Sequence, residues 1–367
     1  MNRAAAVAVA ATVGIFLSVQ LGSLALVQPF MDAGYQTVED PSDPTNSLLY
    51  IGAILVATVV MLGAMKFGVD RLLQGLIVFA AVFLSFYVFT VVIPPIVTVA
   101  GLNVPAVLAA LALGVGLLVY PEWYVIDAAG IVMGAGAAGL FGISFGLLPA
   151  LVLLVVLAVY DAISVYGTEH MLTLASGVMD LRLPVVLVIP LTLSYSFLDE
   201  SGPETLDGDG TDDSDSEKDA EGEEAERDDE GETDATDTDE PAAAPEDDGA
   251  DGNLDEESPP EDPFARDAFF IGLGDAVIPT ILVASAAFFR PGDAPLLDVP
   301  GLALTVPALG AMLGTILGLL VLMWMVMKGR AHAGLPLLNG GAIAGYLLGA
   351  VVAGIALVDA VGIAPYL

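Results

Sequence analysis

Residues 155–171 read VVLAVYDAISVYGTEHM and residues 267–283 read DAFFIGLGDAVIPTILV. Each sets an aspartate, Asp161 or Asp275, beside apolar sequence of spanning character. A charged side chain at mid-depth in a membrane costs roughly 2.5–3.5 kcal/mol on insertion scales, so an acid kept there is a functional candidate. About one further helical turn follows Asp161. Asp275 stands eight residues past Asp267, which predicts a place two turns into a helix over 267–289.

The composition around these acids is that of a membrane protein. Of 367 residues, 56% are hydrophobic and 15% charged, with mean hydropathy +0.78, where a soluble domain carries about 25% charged residues. The net charge of −36 arises from 46 acids against 10 Lys and Arg. Nucleic acid is excluded as a partner, because phosphate contacts need clustered Lys and Arg. With no cysteine and two histidines, disulfides, Cys-ligated metals and a Cys nucleophile are ruled out, and neither metal nor cofactor is expected. Residues 199–263 hold 31 of the 46 acids and almost no large apolar side chain. Such a segment buries no core and is expected to be disordered. Its Asp and Glu excess also suits a protein of a halophilic archaeon facing high salt.

About 20 apolar residues cross a bilayer as a helix. Nine stretches qualify, near 5–28, 48–66, 72–99, 104–120, 123–142, 146–166, 267–289, 301–327 and 335–358. Residues 183–198 are apolar but short and interrupted by Pro184 and Pro190. They are read as an extended or interfacial segment facing the substrate rather than a tenth span. With the N-terminus in the cytoplasm, Arg3, Lys66, Arg71, Arg182, Arg266, Lys328 and Arg330 fall inside and only Arg290 outside, as the positive-inside rule requires. A tenth span would put Arg266, Lys328 and Arg330 outside and Arg290 inside, which weakens that balance. The expectation is an all-α, multi-pass cell-membrane protein with a cytoplasmic acidic loop and the C-terminus outside. Its parts are a six-helix N-terminal bundle (1–182), the segment 183–198, the loop 199–263 and a three-helix C-terminal bundle (264–367). Asp127, four residues past Trp123, is expected to reach the interface, and Asp359 to be solvated.

Asp161 and Asp275 both fall on the cytoplasmic side of their spans, so they can lie at one depth on neighbouring helices. Two carboxylates in a low-dielectric site do not both ionise easily and tend to share a proton. Spacing alone leaves two uses open: an aspartic protease and a proton- or cation-coupled transporter. A non-catalytic scaffold would keep the fold without the chemistry. In Gly272-Leu273-Gly274-Asp275 the glycines remove side-chain bulk beside the acid, so another backbone can approach it. In AGLPLLNGG, residues 333–341, Pro336 lacks an N–H while Gly334, Gly340 and Gly341 loosen the start of the last span.

Together these residues resemble the presenilin and signal peptide peptidase family of intramembrane aspartyl proteases, most closely its archaeal members. Tyr160-Asp161, the GLGD motif and Gly334-Leu335-Pro336 occur in the family's order, in the sixth, seventh and ninth spans. The stretch YDAISVYGTEHMLTLA (160–175) resembles the family's YD helix throughout. The resemblance implies that Asp161 and Asp275 are the catalytic pair. It implies that Tyr160, Gly272, Leu273, Gly274, Leu335 and Pro336 support the site or contact substrate. Where the family has PALP, this chain reads AGLP. The implied substrates are membrane-spanning proteins or peptides within the bilayer, cut with water as nucleophile. No oligomeric state follows from the sequence.

Overall fold

The computed structural model describes residues 3–67, 69–167, 186–190, 196, 268–328 and 333–364. The acidic segment 199–263, Arg182 and Arg330 lie outside them. Apolar sequence free of polar interruption forms helices in all nine expected positions. These are α1 (Arg3–Asp32), α2 (Thr45–Lys66), α3 (Asp70–Val92), α4 (Val104–Val119), α5 (Trp123–Ser144), α6 (Leu147–Gly167), α7 (Leu273–Phe289), α8 (Val306–Val326) and α9 (Gly334–Val352). A short helix α10 (Leu357–Val361) follows. Seven are long and apolar enough to cross a membrane, while α4 and α7 are apolar but shorter, at 16 and 17 residues. At 1.5 Å per residue these two are about 24–26 Å long, a little under the hydrocarbon thickness. Helix α2 is almost wholly exposed, with Val56 and Val59 outward, as a lipid-facing helix is.

Several expected boundaries are corrected. Helix α3 stops at Val92 rather than 99, because Ile93 precedes Pro94 and is extended (φ −93°, ψ 119°), the conformation a following proline favours. Beyond it β1 (Thr98–Val99) and β2 (Leu102–Asn103) pair antiparallel. Helix α8 begins at Val306 rather than 301, its N-cap Thr305 accepting from the Ala308 N–H at 3.3 Å. The last span ends at Val352 rather than 358, where Gly354 turns the chain at φ +75°. Gly340 and Gly341 loosen nothing: α9 runs unbroken from Gly334 with Pro336 in its first turn, where a missing N–H is harmless.

The largest correction concerns 267–289. Ala268–Gly272 is not helical but a strand, β4, paired antiparallel with β3 (Val186–Pro190). Both faces of this two-stranded sheet are covered. Val188, Ala268 and Phe270 pack with Ala81, Leu117, Ile126 and Ala129 of α3–α5. Leu187 and Ile189 pack with Phe16 of α1, Leu319 of α8 and Leu338 of α9.

Small residues bring the helices together. Gly310, Gly314 and Gly318 of α8 face Gly341, Gly345, Gly349 and Leu337 of α9; a Cβ at Gly314 would strike the Gly341 carbonyl. Backbone-to-backbone approach of this kind stands in for the hydrophobic drive that helices lack within lipid. A single core cluster includes Leu154 and Leu157 of α6, Leu282 and Val283 of α7, Ala311 of α8, and Ala342 and Tyr346 of α9. The parts expected as N-terminal and C-terminal bundles thus share one core.

Candidate active site

Three elements bring the aspartates together. Asp161 lies six residues before the end of α6 and is 5% exposed. Asp275 lies in the first turn of α7 rather than two turns in, because Gly272 is both the last residue of β4 and the N-cap of α7. The third element is the start of α9. The Leu335 N–H donates to Asp161 Oδ2 at 3.0 Å. The neighbouring Gly334 faces the other acid: a Cβ placed on it would stand 3.2 Å from Asp275 Oδ2. One dipeptide therefore stands beside both carboxyl groups.

The glycines keep backbone open around Asp275. Gly272 and Gly274 are exposed, and a Cβ on Gly272 would come 3.6 Å from Asp275 Oδ2. Leu273 between them is buried and packs on α5, where Gly130 and Gly134 leave room for it. Pro279 stands four residues after Asp275 and has no N–H, so the Asp275 carbonyl lacks its usual helical donor. The site thus presents two carboxyls beside one dipeptide, glycine-lined backbone and a carbonyl released by proline at the start of a helix.

A family profile described as signal-peptide peptidase, presenilin aspartyl protease matches residues 13–355. The chain belongs to that family. As a member it is an aspartic-type, intramembrane-cleaving endopeptidase and a multi-pass membrane protein. Two solved structures of a presenilin-family intramembrane aspartate protease resemble it. One, in a C222 crystal, is 30% identical, with TM-score 0.58 over 94% of this chain and 99% of that one. The other, in a P2 crystal, is 29% identical, with TM-score 0.54 over 93% and 96%. No curated protein sequence matches significantly.

Within this presenilin-family site, Gly272, Leu273, Gly274, Leu335 and Pro336 all stand on the two elements that meet at Asp275, Pro336 in the first turn of α9. Tyr160, next to Asp161 on α6, is 37% exposed. Among the described residues no cluster of His, Cys, Asp and Glu could hold a metal ion.

Three contributors escaped the sequence reading. Asn339 is fully buried on α9 and donates through Nδ2 to the Leu154 carbonyl of α6 at 2.9 Å. It stands one turn beyond Leu335, while Leu154 stands two turns before Asp161, so it clamps the helices that carry this contact. Gly130 and Gly134 form the α5 face that receives Leu273; their spacing was a readable small-residue stripe. Asp127 is turned into the protein, 7% exposed, and its Oδ1 accepts from the Val188 N–H of β3 at 2.8 Å.

Proposed function

We propose that Asp161 and Asp275 are the catalytic pair of this intramembrane aspartyl protease and that water is the nucleophile. The observation that supports the reading is that adjacent residues of α9 stand at the two carboxyls: the Leu335 N–H donates to Asp161, and Gly334 lies beside Asp275. One carboxylate takes a proton from water as the water oxygen attacks the scissile carbonyl carbon. The other, protonated, donates to the carbonyl oxygen. On collapse of the tetrahedral intermediate the C–N bond breaks, the amine takes the proton that came from water, and the other carboxylate recovers its proton from a hydroxyl of the diol as the new carboxyl forms, so the one-proton state returns.

The substrate is a membrane-spanning segment opened to an extended backbone. An enzyme strand would hold it by main-chain pairing; the edge for that task is the one β4 turns away from β3, while β3, part of the 183–198 segment, braces β4 from the other side. Tyr160, Gly272, Leu273, Gly274, Leu335 and Pro336 support the site. The nine-span topology, with N-terminus and acidic loop cytoplasmic and C-terminus outside, follows from the Lys and Arg distribution. The transporter reading finds no support in the family to which the chain belongs.

The test is cleavage of a generic single-span substrate by purified protein, with and without a transition-state analogue of aspartic proteases. Asp161→Asn and Asp275→Asn are each expected to abolish cleavage while remaining folded. A folded variant of either kind that cuts at the wild-type rate overturns the dyad.

A further inference from the structure

The mechanism leaves one buried aspartate of α5 unused. Asp127 lies in the second turn of α5, and its Oδ1 takes the N–H of Val188, the middle residue of β3. Successive residues of an antiparallel strand point their N–H groups to opposite sides. Val188 is paired in register with Phe270, and its N–H goes to Asp127. The ladder bonds to β4 therefore fall to Leu187 and Ile189, and Asp127 covers the opposite edge of β3. An N–H left unpaired in this water-poor setting costs several kcal/mol, and a two-stranded sheet is marginal by itself. The carboxylate meets that requirement.

Two independent contacts from α5 point the same way. Ser196 Oγ donates to Glu122 Oε1, at the N-cap of α5, at 2.7 Å. Gly130, one turn beyond Asp127, leaves the space that Leu187 and Leu273 fill, since a Cβ there would stand 2.8 Å from Leu187 Cδ2. The beginning of α5 is thus a platform on which the strand is fixed at Val188 and Leu187, with Ser196 held beyond it. Strand β4, held by β3, passes without a loop into α7, and Asp275 follows only three residues after Gly272. Any slip of β3 on α5 is transmitted to β4 and so to the place of Asp275 relative to a paired substrate.

We propose that Asp127 is a positioning residue for proteolysis: by accepting from Val188 it locks the β3–β4 pair on α5 and so determines which peptide bond of the substrate meets the two catalytic aspartates. This rests on the dyad and on substrate pairing with the sheet, as argued above.

The experiment uses the full-length protein and a single-span substrate. It reads kcat and KM separately, with the cleavage positions by mass spectrometry of the products. Asp127→Ala is expected to raise KM at least fivefold and to spread cleavage from one principal bond to bonds two residues away, since strand register shifts in steps that keep the same face. Asp127→Asn, whose amide oxygen still accepts from Val188, is expected to keep the principal bond and a KM within about twofold of wild type. Val188→Pro removes the donor without touching the ladder, because proline is tolerated where the N–H faces off the sheet. It is expected to reproduce the Asp127→Ala pattern and to add little to it in the double variant, and it carries the test if Asp127→Ala does not fold. An unchanged cleavage pattern and KM in Asp127→Ala or Val188→Pro overturns the proposal. So does an Asn variant as disturbed as the Ala variant. Asp161→Asn run in parallel separates this outcome from a failure of the dyad itself, which would show as retained cleavage there.

Discussion

The Leu335 N–H donates to Asp161 across a sequence separation of 174 residues. Leu335 is the second residue of α9, where the N–H has no helical acceptor and is free to serve a neighbouring group. The start of the last span therefore acts as a donor aimed at one aspartate, while its preceding glycine makes room for the other.

Leu335→Pro deletes that donor at a helix position proline tolerates. A hydrogen bond to a charged group is worth about 1.5–3 kcal/mol, so cleavage should fall roughly 10- to 100-fold with little change in folding. Leu335→Ala keeps the N–H and should retain most activity. Steady-state kinetics on the two variants, with circular dichroism as the folding control, check the contrast.

Asn339→Leu removes the side-chain bond between α9 and the Leu154 carbonyl. Stability should fall by about 0.5–1.5 kcal/mol, the net worth of one hydrogen bond, because the Leu154 carbonyl lies within α6 and keeps its helical donor. Activity should fall further than stability alone explains, since the clamp sits between Asp161 and its Leu335 donor. Thermal denaturation in detergent, set beside kcat at a temperature where both proteins are folded, separates the two effects.

Gly314→Leu drives a side chain into the Gly341 carbonyl and should prevent the packing of α8 on α9, giving aggregated or protease-sensitive protein. Gly340→Ala, on the same helix as Gly341 but with open space around it, should fold and cleave as wild type. Size-exclusion profiles of the two variants in detergent provide the comparison.

A dyad that works with one proton between two carboxyls has a bounded pH range. Cleavage should fall at low pH, when both acids carry protons and none accepts from water. It should fall at high pH, when neither carries one to give to the carbonyl oxygen. A kcat profile on the wild type that rises without limit in either direction would exclude the one-proton mechanism.

Deletion of residues 205–255 should leave the helices folded at high salt, because that acidic stretch offers almost no large apolar side chain to pack. Measured cleavage should persist with altered salt dependence. Loss of the folded state would assign the stretch a structural task.

What the sequence determined by itself is what depends on local composition: the positions of the apolar helices, the excess acid confined to 199–263, and two isolated acids that cost too much in lipid to be accidental. Their type and order carried the resemblance to the protease family, and the profile over 13–355 agrees. What local composition could not separate was strand from helix at Ala268–Gly272. AFFIG is apolar on both faces of its strand because helices cover both, so it shows no alternation and merges with the helix that follows. The tertiary structure alone decided that Asp275 begins α7 and that Asp127 turns inward. It alone brought Gly334 and Leu335 between the two aspartates. These are contacts between residues 60 to 170 positions apart in the chain, and no periodicity within a single helix encodes which distant backbone N–H a buried carboxylate will meet.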